Sequence, residues 1–141
     1  MASSPLSIRF DQALLARLRR AASARDTTPS GLAQRLVDEG GLRAEEHPGI
    51  VFRDGPSGRR AALVAGPDVW EVVASIAYSS ARGDAAITAT AQEMDLSTSQ
   101  VKTALAYYGS YPGEIDRQIA GNEQAAEDAR AAWQAQQRLL A

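Results

Sequence analysis

The 141-residue chain contains no cysteine and a single histidine, and aromatic residues make up only 6% of it. Without cysteine there are no structural disulfides and no thiolate metal sites. The one histidine, His47, precedes a proline in a turn-like stretch and has no nucleophile close in sequence, so acid–base or nucleophilic catalysis has little to build on. No acidic cluster has the spacing of a carboxylate metal site. We therefore read a non-enzyme with no cofactor and no metal. Long apolar runs are also missing, because Asp68 and Glu71 interrupt the most apolar region, residues 61–78. Nothing there approaches the length of a membrane span. Met1-Ala2-Ser3-Ser4 lacks the charged start and apolar run of a secretory signal. The expectation is a soluble, cytoplasmic protein with no membrane partner.

The near-neutral net charge of -2 hides an asymmetry. Residues 1–37 carry six arginines (Arg9, Arg17, Arg19, Arg20, Arg25, Arg35) against Asp11 and Asp26. Residues 112–141 reverse the balance, with three arginines against five carboxylates. A basic start and an acidic end point to two different partners.

From Pro5 to Asp11, the apolar Leu6, Ile8 and Phe10 alternate with Ser7 and Arg9. A period of two places three hydrophobes on one face of a strand and the polar pair on the other. A lone strand cannot satisfy its own backbone, and no other strand candidate is near in sequence. The same strand from a second copy is the simplest partner, and a two-stranded ribbon fits the DNA major groove.

Asp11 then stands where a helix N-cap belongs. The helix over roughly residues 12–24 directs Leu14, Leu15, Leu18 and Ala22 inward and Arg17, Arg19 and Arg20 outward. Thr28-Pro29 caps and starts a second helix. It carries Leu32, Leu36 and Val37, and Gly40-Gly41 weakens it.

From His47 the pattern changes. Residues 50–53 and 59–64 read as two strands around a loop containing Gly55-Pro56-Ser57-Gly58. Pro67 opens a helix with an Asp68/Glu71 capping box and an apolar face of Val69, Trp70, Val73, Ile76 and Ala77. Helices over roughly 86–94 and 98–109, the latter with a Ser97/Gln100 box, form a helix-turn-helix outline. Its second helix offers Thr98, Ser99, Gln100 and Lys102, thin in positive charge, so a structural helix pair is the commoner reading and a second DNA reader the alternative. Tyr107, Tyr108 and Tyr111 read as core or interface aromatics, not as a base-stacking platform. In the tail, Ile115, Ile119, Asn122, Ala126, Ala129, Trp133, Gln136 and Leu140 are spaced 4-3-4-3-4-3-4. Half of that stripe is small or polar, which suits either a segment that folds into a partner's groove or a helix packed on its own domain or on the sister chain.

Strand, cap, helix, cap and helix in that order resemble the ribbon-helix-helix fold of the MetJ/Arc/CopG DNA-binding family. The resemblance implies that Ser7 and Arg9 read bases while Thr28 and Ser30 hold a phosphate, with Pro5 departing from the family's usual basic or polar reader. His47-Pro48-Gly49-Ile50-Val51-Phe52, Gly58-Arg59-Arg60-Ala61 and the run from Val101 to Asp116, with Tyr107-Tyr108 and Tyr111-Pro112 inside it, resemble a VapB-like antitoxin domain. Together the two resemblances cover roughly residues 5–119.

They imply an α+β, mostly α chain in three parts. Residues 1–46 form an intermolecular ribbon-helix-helix. Residues 47–114 form a β-hairpin plus helical module, and residues 115–141 a helical tail with Ile115, Ile119, Trp133, Leu139 and Leu140 as toxin anchors. The implied function is a homodimeric antitoxin that represses its own operator on double-stranded DNA and neutralises a PIN-like ribonuclease toxin. The alternative is a stand-alone dimeric regulator with a C-terminal protein- or effector-binding domain.

Overall fold

The computed structural model describes residues 3–56 and 58–141. Met1, Ala2 and Ser57, which enter the readings of the N-terminus and of the hairpin loop, lie outside the described residues. The fold is mostly helical (67%) with one two-stranded antiparallel sheet. The chain divides into two compact units, the first ending at Arg43 and the second running from Ala44 to Ala141.

In the first unit, residues 3–11 carry no regular secondary structure, and Leu6, Ile8 and Phe10 are exposed. The single chain gives this segment no strand to pair with. Helix α1 (Gln12–Ser23) starts where Asp11 accepts the Leu14 N–H at 2.9 Å. Helix α2 (Pro29–Val37) starts where the Thr28 hydroxyl accepts the Gly31 N–H at 3.0 Å. Both caps satisfy donors that a helix start leaves open.

Gly40-Gly41 do not end the helix. The backbone continues as a π-helical stretch, Asp38–Leu42, and one further turn, α3 (Arg43–Glu46). An ion pair from Arg43 Nε to Asp38 at 3.0 Å spans the wider turn. Within this unit only Ala22 and Leu32 are buried among the described residues, while Leu14, Leu36, Val37 and Leu42 stay exposed. Leu14, read as directed inward, is therefore exposed in the single chain, as are Leu36 and Val37 of α2.

The second unit is built on a hairpin, β1 (Ile50–Gly55) and β2 (Gly58–Leu63), in register Ile50↔Leu63 to Gly55↔Gly58. Gly49, at φ +94°, makes the sharp entry into β1 that a residue with a β-carbon rarely adopts. Helices α4 (Val69–Tyr78), α5 (Asp84–Glu93), α6 (Thr98–Ser110) and α7 (Pro112–Leu140) follow. Glu71 accepts the Asp68 N–H at 2.9 Å, and Ser97 and Gln100 bond each other's backbone at 2.9 and 3.1 Å, so both capping boxes close.

One core joins the hairpin to all four helices: Ile50, Ala61, Leu63, Val69, Val72, Val73, Ala91, Val101, Ala104, Tyr107 and Ile115. Val72 joins Val69 and Val73 in it, so α4 buries a broader face than its periodicity suggested. Ala77, counted inward from the sequence, is exposed. Among the described residues, no helix is long and apolar enough to cross a membrane.

Candidate nucleic-acid and partner interfaces

The residues singled out in the sequence fall on both units. On the first, Ser7 and Arg9 lie in the exposed segment ahead of α1, interleaved with the exposed apolar triad. Arg17, Arg19, Arg20 and Arg25 are exposed as well. The Arg25 guanidinium turns back to the Ala21 carbonyl at 3.0 Å, which satisfies a late carbonyl of α1.

At the start of α2 the hydrogen bonds divide the roles of Thr28 and Ser30. The Thr28 hydroxyl oxygen is already engaged as the cap, so toward an anion it has only its proton to offer. Pro29 has no N–H, and the Leu32 N–H bonds the Thr28 carbonyl at 2.9 Å. The Ser30 N–H and hydroxyl are the donors left facing outward, at the positive end of the helix dipole.

On the second unit, the groups that could form a basic patch beside the hairpin are committed within the chain. Arg53 Nη2 bonds the Leu63 and Gly66 carbonyls at 2.5 and 2.6 Å. That pins the loop in which Ala65 takes a positive φ of 53°. Arg59 pairs with Asp54 at 3.3 Å and Arg60 with Asp68 at 2.8 Å. Trp70 Nε1 donates to the same Asp68 carboxylate at 3.3 Å, fixing the indole at the head of α4. These arginines brace the hairpin.

The helix-turn-helix outline is present as α5 and α6. Its outer surface, with Thr98, Ser99 and Lys102, is exposed beside the acidic Glu93 and Asp95. Mixed charge of this kind does not make a phosphate-binding track.

The tyrosines and His47 form a cluster that separation in sequence concealed. Tyr107 is fully buried, and its hydroxyl reaches both carboxylate oxygens of Glu114 at 3.1 and 3.3 Å. The Tyr111 hydroxyl donates to Glu46 at 3.2 Å. His47 packs edge-on against both rings, with centroids 5.2 and 5.9 Å away. The cluster ties the entry of the second unit to the root of α7. Beside it an open cleft of about 310 Å³ is lined by Glu46, His47, Ser99, Lys102 and Thr103. Tyr108 hydrogen-bonds Asp116 at 3.0 Å. That bond, partial burial and the aspartate's charge raise its pKa above the ordinary tyrosine range.

Helix α7 settles where the proposed anchors lie. Ile115 is fully buried in the unit's own core and Ile119 packs against that core. These two pack α7 onto its own body. Asn122 is half-buried, with its amide on the Gln118 carbonyl at 2.8 Å, and every residue from Glu123 onward is exposed. Trp133, Leu139 and Leu140 are bare, at 59%, 87% and 78% exposure. The outer half of α7, residues 123–140, thus projects roughly 27 Å of helix at 1.5 Å per residue.

No protein-family model matches the chain, no curated protein matches it, and no solved structure matches its fold.

Proposed function

We propose that this chain is the antitoxin of a type II toxin–antitoxin pair. It acts in the cytoplasm as a homodimer that represses its own operator through the N-terminal unit. Through the outer half of α7 it neutralises a PIN-like ribonuclease encoded beside it. The observation that carries the reading is the imbalance of the first unit. Ala22 and Leu32 are its only buried residues among those described, while Leu6, Ile8, Phe10, Leu14, Leu36, Val37 and Leu42 are exposed.

A unit this small does not sustain so much bare apolar surface alone. A second copy, paired through residues 5–10, covers it. The same pairing turns Ser7 and Arg9 outward together as a ribbon of groove-reading width. Ser30, with the Thr28 hydroxyl proton, then holds a flanking phosphate.

Chains with the outer half of α7 removed after Asn122 test both activities, since no buried residue lies beyond that point. The truncated chain should still bind and repress its promoter, yet fail to protect cells that express the neighbouring ribonuclease. Protection by the truncated chain would move the toxin-binding surface into residues 44–122. If the full chain represses but protects against no neighbouring product, the alternative of a stand-alone dimeric regulator holds.

A further inference from the structure

Lys102 is the only lysine of the chain, against fourteen arginines, and His47 is its only histidine. Both line the open cleft of about 310 Å³ between residues 46–48 and α6, which lies wholly within the second unit. Arg53, Arg59, Arg60 and Arg82 of this unit are bonded to carbonyls or carboxylates of their own chain. The Lys102 ammonium makes no hydrogen bond and no ion pair among the described residues. Glu46 lines the same cleft, yet the two charges do not pair, so more than 4.0 Å separates them. Opposite charges thus face one space and each is left to water.

The negative side is fixed in place. Glu46 Oε2 accepts the Tyr111 hydroxyl at 3.2 Å, which leaves Oε1 open. The Tyr111 ring leans on Tyr107, with centroids 4.8 Å apart, and Tyr107 is fully buried and bonded to Glu114. His47, edge-on to both rings, is held beside them. The positive side is one turn of α6, where Ser99 and Lys102, three residues apart, share the face that lines the cleft. Thr103 spends its hydroxyl proton on the Ser99 carbonyl at 3.0 Å, so the Ser99 hydroxyl and the Lys102 ammonium are the donors left for an anion. Pro48 and Ala106 complete the lining with small apolar surfaces.

We propose that this cleft binds a small free amino acid, with its carboxylate on Lys102 and Ser99 and its ammonium on Glu46. The charges disfavour simpler ligands. A plain anion meets the Glu46 carboxylate, and a plain cation meets the Lys102 ammonium. The end of a protein chain carries an ammonium or a carboxylate, not both at one place. A zwitterion satisfies both sides at once. The volume stands at the low end of small-molecule sites, about 300–1,000 Å³, which suits a ligand of few atoms. Because the tyrosine pair already holds Glu46, the ordering cost falls mainly on the Lys102 side chain. Such a site is independent of the antitoxin reading above, and either can fail without the other.

Titration of the isotope-labelled full chain at neutral pH, followed by amide NMR, reads the site directly. Glycine and L-alanine are the zwitterions, and acetate, propionate, methylammonium and ethylammonium are their halves. At least one amino acid should shift the Glu46, His47, Ser99 and Lys102 amides saturably at millimolar concentration. Each of its halves should bind at least about tenfold more weakly, the equivalent of one lost hydrogen bond between charged groups. Lys102→Gln and Glu46→Gln should each weaken the amino acid by a similar factor, with the Val72, Ala91 and Ile115 amides of the core unmoved. Glutamine at position 46 keeps an acceptor for Tyr111. Should Glu46→Gln disturb the core, Lys102→Gln decides alone, since Lys102 is exposed and unbonded.

An acetate or propionate that binds as tightly as its parent amino acid reduces the cleft to a general anion site and overturns the proposal. Binding that Lys102→Gln leaves unchanged, or no saturable shift with either amino acid, overturns it as well.

Discussion

Ile8→Asp tests the N-terminal pairing most directly. Leu6, Ile8 and Phe10 are 82%, 60% and 38% exposed in the single chain. Fully burying a side chain of this size stabilises by about 1.5–3 kcal/mol. Weighted by what is still exposed, the triad holds about 3–5 kcal/mol per chain, or roughly 5–11 kcal/mol per pair. A micromolar dimer requires about 8 kcal/mol net, and association itself costs several more. The ribbon must therefore be helped by Leu14, Leu36, Val37 and Leu42, the other exposed hydrophobes of the unit.

Replacing Ile8 in both chains forfeits about 2–4 kcal/mol of burial. It also sets two carboxylates into an apolar seam, where an uncompensated charge costs several kcal/mol more. The combined loss, on the order of 5 kcal/mol or more, raises the dissociation constant by over about a thousandfold. Sedimentation equilibrium across a wide concentration range should show a wild-type dimer, an Ile8→Val dimer and an Ile8→Asp monomer. A wild-type monomer, or an Ile8→Asp dimer of unchanged melting temperature, refutes pairing through this segment.

Arg9→Ala should lose about 1–3 kcal/mol per base contact on the promoter and narrow the gap to a scrambled duplex, read by binding titrations at two salt concentrations. Ser30→Ala should weaken binding to both duplexes alike, as expected for a phosphate contact. Thr28→Ala adds a folding cost of about 0.5–2 kcal/mol through the lost cap, visible as a lower melting temperature without DNA. Ile115→Ala, at a fully buried position, should destabilise the second unit by about 2–5 kcal/mol in chemical denaturation. Trp133→Ala should leave that stability unchanged while impairing protection from the ribonuclease. Spectrophotometric titration should find Tyr108 ionising above the ordinary tyrosine range, and Asp116→Asn should bring it back down. Because the folded-state pKa is the raised one, the contact with Asp116 contributes below the ordinary tyrosine pKa and is lost as pH rises through the raised value.

The features that the sequence made legible share a short range. Asp11, Thr28, Asp68–Glu71 and Ser97–Gln100 cap helices through bonds spanning three residues, so identity and spacing carry nearly the whole instruction. The hairpin is similarly local, since Gly55, Pro56 and Gly58 mark its turn. What stayed hidden depends on partners distant in the chain. Nothing next to Arg53 in sequence names the Leu63 and Gly66 carbonyls as its acceptors. Tyr111 reads as a core or interface aromatic, and nothing local names Glu46, 65 residues earlier, as the acceptor of its hydroxyl. Gly40-Gly41 read as a weak point because propensity counts only backbone entropy, while the Arg43–Asp38 pair bridges the widened turn.

The tail is the instructive case, because its stripe runs at one spacing from Ile115 to Leu140 while its burial ends at Asn122. Periodicity defines which face of a helix is apolar, but not how far along the helix the body extends. The reading of the tail as packed on its own domain therefore holds for the length through Asn122, and the length beyond it is exposed. Ile115 and Ile119 belong to the first length, and Trp133, Leu139 and Leu140 to the second. A helix divided in this way holds its free half at a fixed azimuth without lending it any buried surface. In such an arrangement, mutations at Ile115 should change stability and mutations at Trp133 should leave it unchanged.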